Sequence, residues 1–183
     1  MQARPTAPAA SASTSSKRTG ELWPYGQPDK NSTALAYSIN QGTTKMIRKA
    51  VEGDLNAVFD LAAEFADKYA EFPIDPDKTQ QMLRGLISSG VCFVAEDDGK
   101  LVGAIAGMVQ EHPYMKCTVL VELGWYATPV WGMGLLKAFI AAGKNAGVDL
   151  IVASTLRNSS PSADRLLELR GLVLTEKTWQ LKL

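Results

Sequence analysis

Residues 118 to 147, TVLVELGWYATPVWGMGLLKAFIAAGKNAG, decide the architecture. The opening ten are dominated by Val, Leu, Trp and Tyr, the composition of a strand. Further on, Leu135, Leu136, Phe139 and Ile140 recur at helical spacing, and Gly147 is placed to stop a helix. Between them lies a short stretch carrying Gly132 and Gly134. It is either a loop whose backbone N–H groups, at a helix N-terminus, cradle a phosphate, or glycines easing a tight strand-to-helix turn. The next apolar run, VDLIVAST from residue 148, reads as a buried strand. A helix between two strands is a crossover, and crossovers join parallel strands, so the fold is α/β with a mixed sheet.

The same alternation extends outward in both directions. TKMIRKA reads as a first strand, and Asp54 is the expected N-cap of a helix whose apolar face is Leu55, Val58, Leu61, Ala62 and Phe65. DPDKTQQMLRGLISSG reads as a second helix with Gly90 as its C-cap. VCFVAEDDGKLVGAIAGMVQ is two strands about an Asp-Gly turn, the strongest hairpin signal in the chain. After the 148 run, Ser160-Pro161 starts a short helix, and LVLTEKTWQLKL reads as a closing strand. The domain from 43 to 183 is therefore expected to hold a mixed central sheet of roughly six to seven strands flanked by about four helices.

Residues 1–42 differ. They are dominated by Ala, Pro, Ser and Thr and show neither helical nor alternating period. Such a composition does not offset its own ordering entropy, so this stretch is expected to be an extended arm, disordered alone or docked on a partner. Trp23 and Tyr25, with Pro24 stiffening the backbone between them, are its candidate anchors.

Composition narrows the function classes. With 19 basic and 19 acidic residues the net charge is zero, which gives no general attraction to nucleic acid or to an anionic membrane. No apolar run reaches the length of a membrane span and no signal-peptide core is present, so a soluble, cytoplasmic protein is expected. Cys92 and Cys117 sit in apolar runs and read as small hydrophobes of a reduced compartment. His112 is the sole histidine and has no nucleophile elbow to serve, and no Cys/His/Asp spacing implies a metal site. Glu122 stands out as a carboxylate inside an apolar strand, on the same face as Leu120 and Gly124. Burial would raise its pKa towards that of a general base; the alternative is pairing with a cation or solvent at a splayed strand end.

The element order, with MIRKAVEGDLNAVFDLAAEF, VCFVAEDDGKLVGAIAGMV, VELGWYATP…LLKAF and RNSSPSADRLLELRGLV, resembles the GNAT superfamily of acetyl-CoA-dependent N-acyltransferases over residues 44 to 183. The wording of VELGWYATP…LLKAF and LLELRG is particularly similar to members encoded by phages. The resemblance implies transfer of an acetyl group from acetyl-CoA to a primary amine. It also implies a pyrophosphate cradle over Trp131, Gly132, Met133, Gly134 and Leu135, Glu122 as base, and Asn158 at the pantetheine arm, unless Asn158 merely makes an Asx turn. The sequence departs from the family pattern in three ways: Pro129 replaces the usual Arg or Gln, the turn is shortened, and Leu167 stands where many members carry an acidic tyrosine. Tyr126 is the candidate replacement acid, against the alternative that it only packs. These departures imply a second reading, a GNAT-fold component whose coenzyme site has lapsed. Such a component would be virion-associated, with residues 1–42 docking it to phage structural proteins.

Overall fold

A computed structural model describes residues 44–70, 72–88, 90–156, 160–176 and 178–180. The arm over residues 1–42, with Trp23 and Tyr25, and the candidate Asn158 lie outside the described residues. The elements run β1 (Lys45–Lys49), a 3₁₀ turn (Glu52–Asp54), α1 (Leu55–Tyr69), α2 (Pro76–Ser88), β2 (Val91–Asp97), β3 (Lys100–Glu111), β4 (Thr118–Ala127), α3 (Pro129–Ala146), β5 (Leu150–Val152) and α4 (Pro161–Leu169). They form one sheet in the order β1-β2-β3-β4-β5, antiparallel through β4 and parallel between β4 and β5.

The pleat divides the core in two. Cys92, Val94, Ala104 and Ala106 meet Val58, Leu61, Leu83 and Leu86 of α1 and α2. Ala95, Ile105 and Leu120 face the other way, against Leu135, Leu136 and Phe139 of α3. All three of those α3 side chains are fully buried, so the helical stripe read from the sequence is core. Asp98 and Gly99 both have positive φ, 57° and 77°, the type I′ geometry that an Asp-Gly hairpin requires. Gly147 ends α3 in the left-handed conformation, and the Ser160 hydroxyl caps α4 by accepting from the Ser162 N–H. Both cysteines are free, and burial pushes the Cys92 thiol up to about 11.

Three expectations need correction. Among the described residues the sheet has five strands rather than six to seven, because residues 172–176 and 178–180 join no strand. A Schellman turn at Gly171 closes α4, with N–H bonds from Gly171 to Glu168 and from Leu172 to Leu167, and the segment beyond it finds no partner edge. Strand composition without a neighbour does not make a strand. The second correction concerns β5, which has only three residues and leaves Leu150 and Val152 exposed.

The third correction concerns Asp54, which stands at the N-cap position of α1 as expected but makes no capping bond to it with its side chain. Its carboxylate instead accepts from the Val51 N–H at 2.8 Å and from both Arg48 Nη atoms at 2.6 and 2.9 Å. Arg48 in turn donates through Nε to Glu96 at 2.9 Å, so one guanidinium ties β1, the 3₁₀ turn and β2. Hydrogen bonding to Arg48 holds the Asp54 carboxyl below the usual carboxylate range.

One irregularity positions everything that follows. Ala106 pairs with Gly124 while Gly107 pairs with Glu122, so Leu123 is an extra residue and β4 is bulged there. The bulge reverses the pleat: Leu120 and Trp125, five residues apart, both pack towards α3, whereas Tyr126 packs towards α1. Only a glycine fits at 107, since a Cβ there would collide with the Val121 carbonyl oxygen and lie 2.8 Å from the Phe139 ring.

Two outcomes are expected. Gly107→Ala should cost roughly 1–3 kcal/mol in urea unfolding, because backbone and a fully buried ring stand in its way. Asp54→Ala should lose about 1–3 kcal/mol at neutral pH. Because the folded pKa of Asp54 is depressed, its contribution is present above the unfolded value of about 3.9 and is lost as pH falls through the folded value. Unfolding curves of wild type and Asp54→Ala should therefore converge in acid.

Candidate active site

β4 and β5 run together for only three residue pairs, Val119 with Leu150, Leu120 with Ile151 and Val121 with Val152. Their alignment is fixed at one end by Asp149, whose carboxylate accepts from the Thr118 N–H at 2.8 Å and hydroxyl at 3.1 Å. At the other end the bulge begins one residue after the last pair. Among the described residues Glu122 to Ala127 have no strand neighbour on the β5 side, so the ladder between the two strands ends at Val121 and Val152. Where a parallel ladder ends, the backbone donors and acceptors of the longer strand are left without strand partners along that edge.

Glu122 stands where this ladder ends, one residue past its last pair. It shares a sheet face with Leu120 and with its pairing partner Gly107, and its Oε2 accepts from the Ser154 N–H at 3.1 Å and hydroxyl at 3.3 Å. Burial in the sheet raises its pKa, and the two bonds from Ser154 partly oppose that rise. Ser154 lies just beyond the 150–152 strand; its role was not legible because pairing across the opening depends on where β5 stops.

Tyr126 goes elsewhere. Its hydroxyl donates to Glu64 Oε1 of α1 at 2.6 Å, and its ring lies edge-on to Phe65 with centroids 6.0 Å apart. The bond to Glu64 pushes the phenol up to about 12. Glu122 and Tyr126 thus have different partners on different faces of the sheet. Glu64, on the polar side of α1, carries no signal in the sequence that points to Tyr126.

The remaining candidates lie within α3. The connection from β4 is one residue, Thr128, and the helix has begun by Pro129. Trp131 and Gly132 both donate their N–H groups to the Thr128 carbonyl, at 3.0 and 3.2 Å. Met133, Gly134 and Leu135 are interior to the helix, where amides bond four residues back. Of these glycines only Gly134 has a packing duty: a Cβ there would run into Ile47 of β1, whereas one on Gly132 would make ordinary contact with Leu166 of α4 and Trp125, at 3.4 and 3.5 Å. At the tip of α3, Pro129 has no N–H, which leaves Val130 as the first-turn amide outside these bonds.

A cation does reach this helix from elsewhere. Arg170, which closes α4, places its Nε 2.9 Å from Met133 Sδ. The sequence has no basic residue between Lys116 and Lys137, and only the packing of α4 on α3 brings Arg170 there. His112 is occupied locally, its Nδ1 accepting from the Tyr114 and Met115 N–H groups at 3.2 Å each. Among the described residues no group of His, Cys, Asp and Glu could hold a metal ion, and no helix is long and apolar enough to cross a membrane.

Ser154→Ala should raise the Glu122 pKa further, because it removes the hydroxyl bond, which favours the ionised form, and leaves the backbone N–H bond in place. A carbon-13 carboxyl titration of the two proteins measures this. An unchanged or lower value would mean that the Ser154 hydroxyl does not hold the carboxylate.

No family model matches the chain, and no curated protein matches it in sequence. Solved structures do match. An aminoglycoside N-acetyltransferase, AAC(6')-Iy, in complex with CoA superposes with a TM-score of 0.60 at 16% identity, covering 79% of this chain and 98% of that one. A predicted acetyltransferase with acetyl-CoA from Clostridium acetobutylicum gives 0.63 at 14%, over 76% and 96%. A transcriptional regulator from Bacillus halodurans gives 0.60 at 20%, over 76% and 99%. At these identities the likeness is one of architecture: the chain has the fold of the GNAT acetyltransferases.

Proposed function

We propose that the opening between β4 and β5 is an acyl-transfer site, taking acetyl-CoA and a primary amine. The observation that carries this reading is Glu122, a half-buried carboxylate of raised pKa held at the point where the β4–β5 ladder ends. The residues present fit only one end of the coenzyme well. The unpaired wall of β4 offers backbone hydrogen bonds to an amide-bearing arm. The pyrophosphate end has less: the Val130 amide, the positive end of the α3 dipole, and Arg170. The amides of Trp131 to Leu135 are engaged within the helix, which counts against the cradle that the family resemblance implies there.

In this reading Glu122 accepts the proton of the attacking amine, directly or through one water. The amine nitrogen then forms the C–N bond as the C–S bond of the thioester breaks. The thiolate takes its proton from solvent, because the Tyr126 phenol is held by Glu64. General-base assistance of this kind is worth about 10² to 10⁴ in rate.

A second reading has one specific observation in its favour, the one-residue junction at Thr128 with Pro129 behind it. It makes the chain a GNAT-fold component without coenzyme, attached through residues 1–42 to structural proteins of a phage particle.

Calorimetric titration with acetyl-CoA separates the two. The first reading expects micromolar binding, weakened about tenfold or more by Val130→Glu, a change at an exposed first-turn position that the helix dipole itself favours. Arg170→Ala should weaken binding in the same direction. No heat at millimolar coenzyme would favour the second reading. Gly134→Glu is not a usable test, because it drives a carboxylate into Ile47 whether or not coenzyme binds. If binding is found, Glu122→Gln should retain it and the bond from Ser154, yet lose about 10² or more in transfer to amines. Unchanged turnover would remove Glu122 as the base.

A further inference from the structure

Glu122 is held by a segment that the sheet itself does not hold. Among the described residues its hydrogen-bond partner is Ser154 alone, through the N–H at 3.1 Å and the hydroxyl at 3.3 Å, both to Oε2. Ser154 lies two residues beyond Val152, where the pairing of β5 with β4 ends. β5 is three residues long and has β4 on one side only. A backbone that has left its ladder lacks the regular bonds that would fix it. An N–H aimed at a carboxylate from such a segment needs a further attachment to stay aimed.

That attachment is one residue further on. The Thr155 hydroxyl donates to Oδ1 of Asp164, in the first turn of α4. Ser154 thus reaches β4 while its neighbour reaches α4. The helix is a firm anchor: Leu166 and Leu167 pack on the cluster of Leu135, Leu136 and Phe139 of α3. The Ser160 hydroxyl caps its start, and the N–H bonds of Gly171 and Leu172 close its end. An unbroken line of contacts therefore runs from the α3 core through Asp164, Thr155 and Ser154 to Glu122. The Thr155–Asp164 bond is exposed, so it adds little to folding, and its main effect is local alignment. A carboxylate in the first turn of a helix also suits the helix dipole, a role that would need no Thr155.

We propose that Asp164 is a positioning residue for Glu122: acting through Thr155, it holds the Ser154 N–H and hydroxyl on the Glu122 carboxylate. Its consequence for catalysis rests on the reading of Glu122 as the base of acyl transfer. With Oε2 engaged by Ser154, the oxygen left for the proton of the attacking amine is Oε1, which accepts no hydrogen bond among the described residues. The latch therefore decides which oxygen meets the amine. It also keeps the carboxylate ionised and ready to accept, because both Ser154 bonds favour the charged form. Loosening it frees the side chain to turn and leaves a smaller share of Glu122 ionised at a given pH.

Carbon-13 carboxyl titration of Glu122 in the full chain tests this and needs neither coenzyme nor turnover. Thr155→Val removes the hydroxyl while changing no charge and leaving α4 untouched. It should raise the Glu122 midpoint by about half a pH unit or more. Thr155→Ser keeps the hydroxyl and should titrate as wild type. In the Thr155→Val protein, adding Asp164→Ala should give no further rise, because the two residues act through one bond. Loss of the Asp164 charge by itself would move the midpoint the other way. An unchanged or lower midpoint in Thr155→Val would overturn the proposal, as would a rise that Thr155→Ser shares or a further rise in the double variant. The acid limb of the kcat/KM profile for amine transfer should move up with the midpoint. If the midpoint moves while Glu122→Gln leaves transfer unchanged, the latch stands and the base reading falls. A midpoint that stays still while Glu122→Gln abolishes transfer overturns the latch and leaves the base reading in place.

Discussion

The extra residue at Leu123, accommodated by Gly107 on the neighbouring strand, is the constraint on which the site depends. Without it the face carried by Tyr126 would be the opposite one. The ladder to β5 ends just before it, and a carboxylate stands at that point. The bulge has a definite structural requirement: the close approach to Val121 and the Phe139 ring leaves no room for any residue but glycine at 107. Burial of Phe139, Leu135 and Leu136 on α3 holds that contact closed.

The start of α3 shows the opposite arrangement. A helix that begins one residue after its strand packs closely, and Gly134 lets it do so against Ile47. The same closeness takes the Trp131 and Gly132 amides into bonds with Thr128. A Gly-x-Gly sequence can serve either an anion or a neighbouring side chain, and here Ile47 is the neighbour that Gly134 makes room for. Any affinity for a pyrophosphate at this end would have to come from Val130, the helix dipole and a cation supplied from α4.

Much of the architecture was legible because local chemistry settles it. Asp98-Gly99 demands a type I′ turn, Gly147 a left-handed stop and Ser160-Pro161 a helix start, and each is found. The core stripes of α1 and α3 were legible from period alone. What was not legible depends on residues far apart in the chain. Asp54 reads as a helix cap until Arg48, six residues earlier, and Glu96 on another strand enter the same network. An extra residue in β4 cannot be told from a regular one without its partner strand, so the face of Tyr126, and hence its engagement with Glu64, was hidden. The closing strand failed for the same reason, since a strand is defined by a neighbour that the sequence does not name.

On this account the opening beside the β4 bulge is where acetyl-CoA binds. Amide chemical-shift mapping of the nitrogen-15-labelled protein during titration with acetyl-CoA tests it most directly. Saturable shifts are predicted at Glu122 to Tyr126, at Ser154 and at Val130, with the α2 face around Met82 unmoved. Absence of shifts along β4 at millimolar coenzyme, or shifts confined to another surface, would contradict it.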